Sequence, residues 1–128
     1  MPPRISEAQI RSLVSAFYTR VRSDALLGPI FEARLAGRWE SHLDKMCDFW
    51  SSVLLASGRY RGNPIQVHAL IDEMTPSALD HWMALFRETS TEVLPNAMAR
   101  EVVGRAARMR VVLERNRGNA VIIDTRTQ

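Results

Sequence analysis

The sequence predicts an all-α fold in a single domain, with four main helices and shorter helical pieces. Two observations carry this reading. Apolar residues recur at three- and four-residue steps through four long stretches, the period of a helix with one buried face. No β-hairpin signal, internal repeat or low-complexity tract interrupts them.

The first helix opens at Ser6, where Ser6 and Gln9 make a capping-box pattern, and its apolar face follows as Ile10, Leu13, Val14, Phe17, Tyr18 and Val21. The stretch "SDALLGPIF" then brings Gly28 and Pro29, which are expected to end helical order. Leu26, Leu27, Ile30 and Phe31 are nonetheless too apolar for a solvated turn and should pack against something. A long second helix is expected from about Arg38 to Ala56. Its stripe is Trp39, Leu43, Met46, Phe49, Trp50, Val53 and Leu54, and His42 falls on that stripe. Thr75 and Pro76 suit the cap and first position of a third helix, which turns Leu79, Trp82, Phe86 and Val93 to one face. Asn96 can cap a fourth, with Ala99, Val102, Val103, Ala106, Met109 and Leu113 inward, arginines outward and Gly118 as terminator. The tail "NAVIIDTRTQ" is expected either to fray or to dock loosely.

A chain of 128 residues, 46% of them hydrophobic, suits one core, and a chain of this length buries roughly 68% of its unfolded surface. With 17 basic against 14 acidic residues the net charge is +3, and the arginines are spread over several segments, so nucleic-acid binding is not indicated. The single cysteine, Cys47, excludes an intrachain disulfide and leaves a CxxC metal site without its second ligand. "MPPRISEAQI" lacks the apolar core of a signal peptide, and no stretch approaches the ~18 apolar residues of a membrane span. A soluble, cytoplasmic protein is expected.

Between Ser57 and Met74 the periodicity weakens over about eighteen residues holding Gly58, Gly62 and Pro64, and an irregular connection that long inside a compact domain is usually functional or disordered. Its apolar content argues against disorder. Within it, "RGNPIQVHAL" surrounds His68 with Ile65, Val67, Leu70 and Ile71.

The familiar catalytic patterns are missing. His42, His68 and His81 form no HxxxH or HExxH pattern, and their neighbours lack the carboxylates or thiols of a tetrahedral zinc site. Cys47 lies five residues after His42, about 140° around a helix, which places the pair poorly for nucleophilic catalysis. Gly58 and Gly62 belong to no phosphate-binding loop. What remains is an apolar interior with a few polar groups turned toward it: Tyr18, His42, Trp82 and His68. Each has an ordinary explanation, since a histidine on an apolar stripe is commonly a hydrogen-bonded core residue and a tyrosine or tryptophan commonly fills space. Spacing alone leaves the function open.

The succession "FYTRVRSDALLGPIF", "HLDKMCDFWSSVLL", "GRYRGNPIQVH" and "HWMALF" resembles the truncated haemoglobins, specifically group III, over roughly residues 6 to 115. The resemblance implies a two-over-two helical sandwich over residues 1–117 enclosing haem b, a proximal helix reduced to a turn inside the long loop, and a tail at 118–128. It also implies roles by position. His68 matches the iron-binding proximal histidine, Tyr18 the distal tyrosine, Trp82 the distal tryptophan, and His42 a distal-face histidine that ligates, donates or gates entry. Met46, Trp50 and Phe86 match residues that line or back the pocket, and Phe31 one wedged against the haem edge. Lys45, Arg59, Tyr60 and Arg61 are the candidates for the propionates, and His81 is the second choice as iron ligand. The double-glycine motifs of groups I and II are absent, in agreement with group III.

Physical chemistry supports such a site, because haem needs an axial imidazole on one face and an apolar slot around the ring. Hydroxyl and indole donors facing the other side would stabilise bound O₂ more than CO, which carries less charge. The expected ligands are O₂, NO, CO or peroxide. The enzymatic reading is NO or peroxide detoxification, as an NO dioxygenase or a peroxidase-like activity fed by a separate reductase. An O₂ carrier or sensor without turnover, and a helical interaction module without haem, stay open beside it.

Overall fold

The computed structural model describes residues 4–60 and 75–127, with side chains to residue 115. Among the described residues there are five α-helices and no strand: α1 (Glu7–Ser23), α2 (Leu27–Leu35), α3 (Trp39–Leu55), α4 (Pro76–Val93) and α5 (Asn96–Thr127). α1 packs on α3 and on α4, α4 packs on α5, and α2 lies against α1. The expected all-α fold is thus observed as two helix pairs, α1/α3 and α4/α5, meeting where α1 crosses α4.

Local chemistry sets most boundaries as the sequence suggests. Ser6 Oγ accepts from the Gln9 N–H at 3.1 Å while Gln9 Oε1 accepts from the Ser6 N–H at 2.9 Å, so the capping box forms in both directions. Thr75 Oγ1 accepts from the Ala78 N–H at 3.1 Å, with Pro76 opening α4. α3 begins and ends where expected, flanked by Arg38 and by Ala56, the latter in the left-handed region at φ 56°.

Three expectations need correction. Gly28 and Pro29 do not end helical order; both lie in the first turn of α2. A proline there forfeits no helical hydrogen bond, since the first N–H groups of a helix have no partner within it. Gly28 is needed for another reason: a Cβ at this position would sit 2.9 Å from the Arg22 carbonyl oxygen, so only glycine lets α2 start this close to the end of α1. Asp24 closes the turn, its Oδ2 accepting from the N–H groups of Leu26 (3.0 Å) and Leu27 (2.9 Å). Second, Asn96 is the first residue of α5 instead of its cap, and the Pro95 carbonyl accepts from the Ala99 N–H at 2.9 Å. Third, Gly118 does not stop α5, which continues to Thr127 through the expected tail.

The core is formed by the inner faces of these helices. Ile10, Leu13, Val14, Phe17, Tyr18 and Val21 are buried from α1, Leu27 and Phe31 from α2, and Trp39, Met46, Trp50 and Leu54 from α3. α4 adds Leu79, Met83 and Phe86; α5 adds Ala99, Val102 and Ala106. Leu26 departs from the expectation and is exposed. Fully burying a side chain such as Phe17 or Phe86 contributes about 1.5–3 kcal/mol.

Candidate functional site

The residues that chemistry singled out meet where α1, α2 and α3 converge, and α4 closes the side. The capping box fixes the start of α1 and therefore which of its residues turn inward, which puts Phe17 and Tyr18 side by side in the core. Tyr18 is 5% exposed. Its ring stands edge-on to four others: Phe17 (5.1 Å between centroids), His42 from α3 (5.0 Å), Phe31 from α2 (6.2 Å) and Trp39 from α3 (6.5 Å). Edge-to-face packing suits aromatic quadrupoles and locks the phenol's direction.

Phe17 links this cluster to α4. It meets Trp82 edge-on at 5.1 Å and Phe86 at 5.0 Å. Trp82 and Phe86 are stacked with planes 9° apart, and Phe86 is stacked in turn with Trp50 of α3, with centroids 5.4 Å apart and planes at 14°. A continuous run of rings therefore extends from His42 through Tyr18, Phe17, Trp82 and Phe86 to Trp50. Met46, also buried on α3, lies on the helix between His42 and Trp50.

Two hydrogen-bond donors belong to this aromatic interior. They are the Tyr18 hydroxyl, on a residue only 5% exposed, and the indole N–H of the half-buried Trp82. Burial raises the Tyr18 pKa far above its ordinary value, so the phenol stays protonated and remains a donor. Two donors on one aromatic interior are an arrangement suited to a polar ligand.

Other sequence candidates lie elsewhere. His81 turns toward the α1–α2 turn, its Nε2 2.7 Å from Asp24 Oδ1. Arg59 pairs with Glu7 Oε2 at 3.2 Å, at the start of α1. Glu7 Oε1 also accepts from Ser51 Oγ at 2.6 Å, and Ser57 Oγ lies 2.7 Å from Ser51 Oγ, so the chain leaving α3 is tied to α1. Lys45 is exposed. Tyr60 is half-buried, its ring edge-on to Phe49 at 5.4 Å and its N–H donating to Ser52 Oγ at 2.9 Å. Arg61 and His68 lie outside the described residues. Cys47 is buried, and burial raises its thiol pKa, as for an unreactive core cysteine.

In the sequence Phe17 and Trp39 are marked only as members of apolar helix faces. Phe17 is the junction of the two halves of the ring network, and Trp39 walls the Tyr18 side. The available signal was adjacency, since Phe17 precedes Tyr18 in sequence and Trp39 lies one helical turn before His42.

Comparison with known proteins places this geometry among relatives. The family model described as Bacterial-like globin matches residues 6–114. A group 3 truncated hemoglobin of Campylobacter jejuni is 31% identical over 105 residues, covering 80% of this chain and 83% of that protein. The crystal structure of a group III truncated hemoglobin from Campylobacter jejuni superposes with a TM-score of 0.80 at 29% identity, covering 86% of this chain and 90% of that one.

Proposed function

Because this chain belongs to the bacterial-like globin family, we propose that it is a haem protein that binds O₂ and related diatomic ligands and uses them in NO or peroxide detoxification. Membership of a globin family implies haem and small diatomic ligands; haem b, the detoxification chemistry, a cytoplasmic location and a separate reductase are the finer parts of the proposal. Among the described residues, no helix is long and apolar enough to cross a membrane.

The residues present fit such a group. The carrying observation is the pair of donors, the Tyr18 hydroxyl and the indole N–H of half-buried Trp82, at an interior walled by Phe31, Met46, Trp50 and Phe86. α3 and α4 are joined by the Trp50–Phe86 ring stack, without an extensive close approach of their backbones. When bound, haem supplies an iron that takes the diatomic ligand and exchanges one electron with a partner. His68 is the residue proposed to hold the iron, with Phe31 against the haem edge and Lys45 and Tyr60 toward the propionates.

The chain's own residues then shape the ligand side. Tyr18 and Trp82 donate to a polar diatomic ligand and hold its outer atom; aromatic neighbours exclude water and so strengthen both bonds. His42, edge-on to Tyr18, is proposed to donate, ligate or gate entry. In the detoxification reading, NO, O₂ and one electron from the reductase combine to nitrate. Slow O₂ release with NO turnover to nitrate distinguishes this enzyme from a carrier or sensor. Titrating the chain with haem tests the underlying reading: a Soret band saturating at one haem per chain is expected, and no specific band would refute it.

A further inference from the structure

We infer that Trp39 and Glu32 form a latch that sets how closely the first turn of α3, and with it His42, sits over Tyr18. The inference rests on the haem-pocket reading above. It starts from a difference among helix starts. α1 and α4 are fixed by side-chain caps from Ser6 and Thr75, whereas α3 has none: its N-cap is Arg38, without a side-chain hydrogen bond. The chain enters it through Gly37 at φ 76°, a left-handed conformation that favours glycine. An uncapped helix start behind a glycine needs another anchor.

Trp39 provides it. As the first residue of α3 it is 7% exposed, and its indole N–H donates to Glu32 Oε2 on α2 at 2.7 Å. The Arg22 guanidinium lies 4.6 Å over the same ring. Trp39 and His42 are three residues apart and share a helix side, and both rings meet Tyr18, at 6.5 and 5.0 Å. The N–H edge of Trp39 thus meets an exposed carboxylate while its ring packs near Tyr18. Because Glu32 is exposed, the bond can open without unpacking the core. Trp39 acts through His42 and Tyr18 and is a positioning residue.

The test uses Glu32→Ala, Glu32→Gln and Trp39→Phe, each alone and with His42→Ala. In the haem-loaded ferrous protein, Glu32→Ala and Trp39→Phe should raise the CO association rate by roughly threefold or more, as expected for losing one charge-assisted hydrogen bond. Glu32→Gln, which keeps an acceptor, should restore the parent rate, and His42→Ala should remove the difference. In the haem-free chain, the Trp39 indole N–H should lose its protection from solvent exchange in Glu32→Ala while the Trp50 and Trp82 signals stay in place. A normal Soret band with an unchanged CO rate in Glu32→Ala overturns the latch and leaves the haem reading intact. An acceleration equal in Glu32→Gln, or persisting with His42→Ala, also overturns it. No Soret band in the parent chain overturns both.

Discussion

The Tyr18 phenol stands perpendicular to the His42 imidazole, with ring centroids 5.0 Å apart and planes at 90°. Tyr18 comes from α1 and His42 from α3, so this contact brings two polar rings of different helices onto one apolar interior. The phenol is buried and its pKa raised, so it stays a hydrogen-bond donor.

Tyr18→Phe should therefore change function more than stability. The haem-free chain should change in stability by no more than about 1 kcal/mol, since phenylalanine keeps the ring packing. The haem-loaded protein should lose O₂ roughly ten- to a hundredfold faster, because a hydrogen bond to a charged acceptor is worth about 1.5–3 kcal/mol. CO dissociation should change much less. Thermal unfolding and stopped-flow ligand displacement check the two halves separately.

Replacing glycine by alanine should have opposite signs at two sites. At Gly28 the new methyl group would lie 2.9 Å from the Arg22 carbonyl oxygen, between two helices with little freedom to separate. Gly28→Ala should destabilise by about 1–3 kcal/mol. At Gly104, within α5, nothing lies within 4 Å of the added carbon, and Gly104→Ala should stabilise by about 0.5–1 kcal/mol. Denaturant midpoints of the two variants decide this.

Phe86 is 1% exposed and has ring contacts with Phe17, Trp50 and Trp82. Phe86→Ala should cost about 3–5 kcal/mol, a large part of the 5–15 kcal/mol that typically separates folded from unfolded domains. Near-ultraviolet circular dichroism should also lose the stacked-tryptophan signal. A variant that keeps the parent signal and midpoint would show that the ring run is not structural.

Acid should weaken the α1–α2 turn through Asp24. Burial pushes its carboxyl pKa up, but hydrogen bonds from His81 and from the Leu27 and Leu26 N–H groups outweigh this and hold it below its ordinary value. A depressed folded-state pKa contributes stability that is complete above the unfolded value, about 3.9, and is lost as pH falls through the folded one. The stability difference between the parent and Asp24→Asn should hence be full near neutrality and narrow below about pH 4. A difference independent of pH would contradict this.

The helices and their inward faces were legible because they follow from local spacing: the Ser6–Gln9 box, the Thr75–Pro76 start and the Trp39-to-Leu54 stripe all form. α2 was missed because Gly28 and Pro29 were read as breakers, when their place in a first turn makes one harmless and a close approach makes the other necessary. α5 passes Gly118 because a glycine weakens a helix by only about 1 kcal/mol and does not by itself end one. At the site, Tyr18, His42 and Trp82 could be picked by residue type. The pairings His81–Asp24, Arg59–Glu7 and Trp39–Glu32 could not: the first two join residues far apart in sequence, and the third depends on the turn between α2 and α3.

The claim on which the rest depends is that an imidazole at position 68 binds the iron of a haem seated against these rings. The most direct measurement is the optical spectrum of the ferric, ferrous and CO forms of the haem-loaded chain beside His68→Ala. The account predicts a Soret band in the parent and a shifted or lost band in the variant in all three forms. Identical spectra for the two proteins would contradict it.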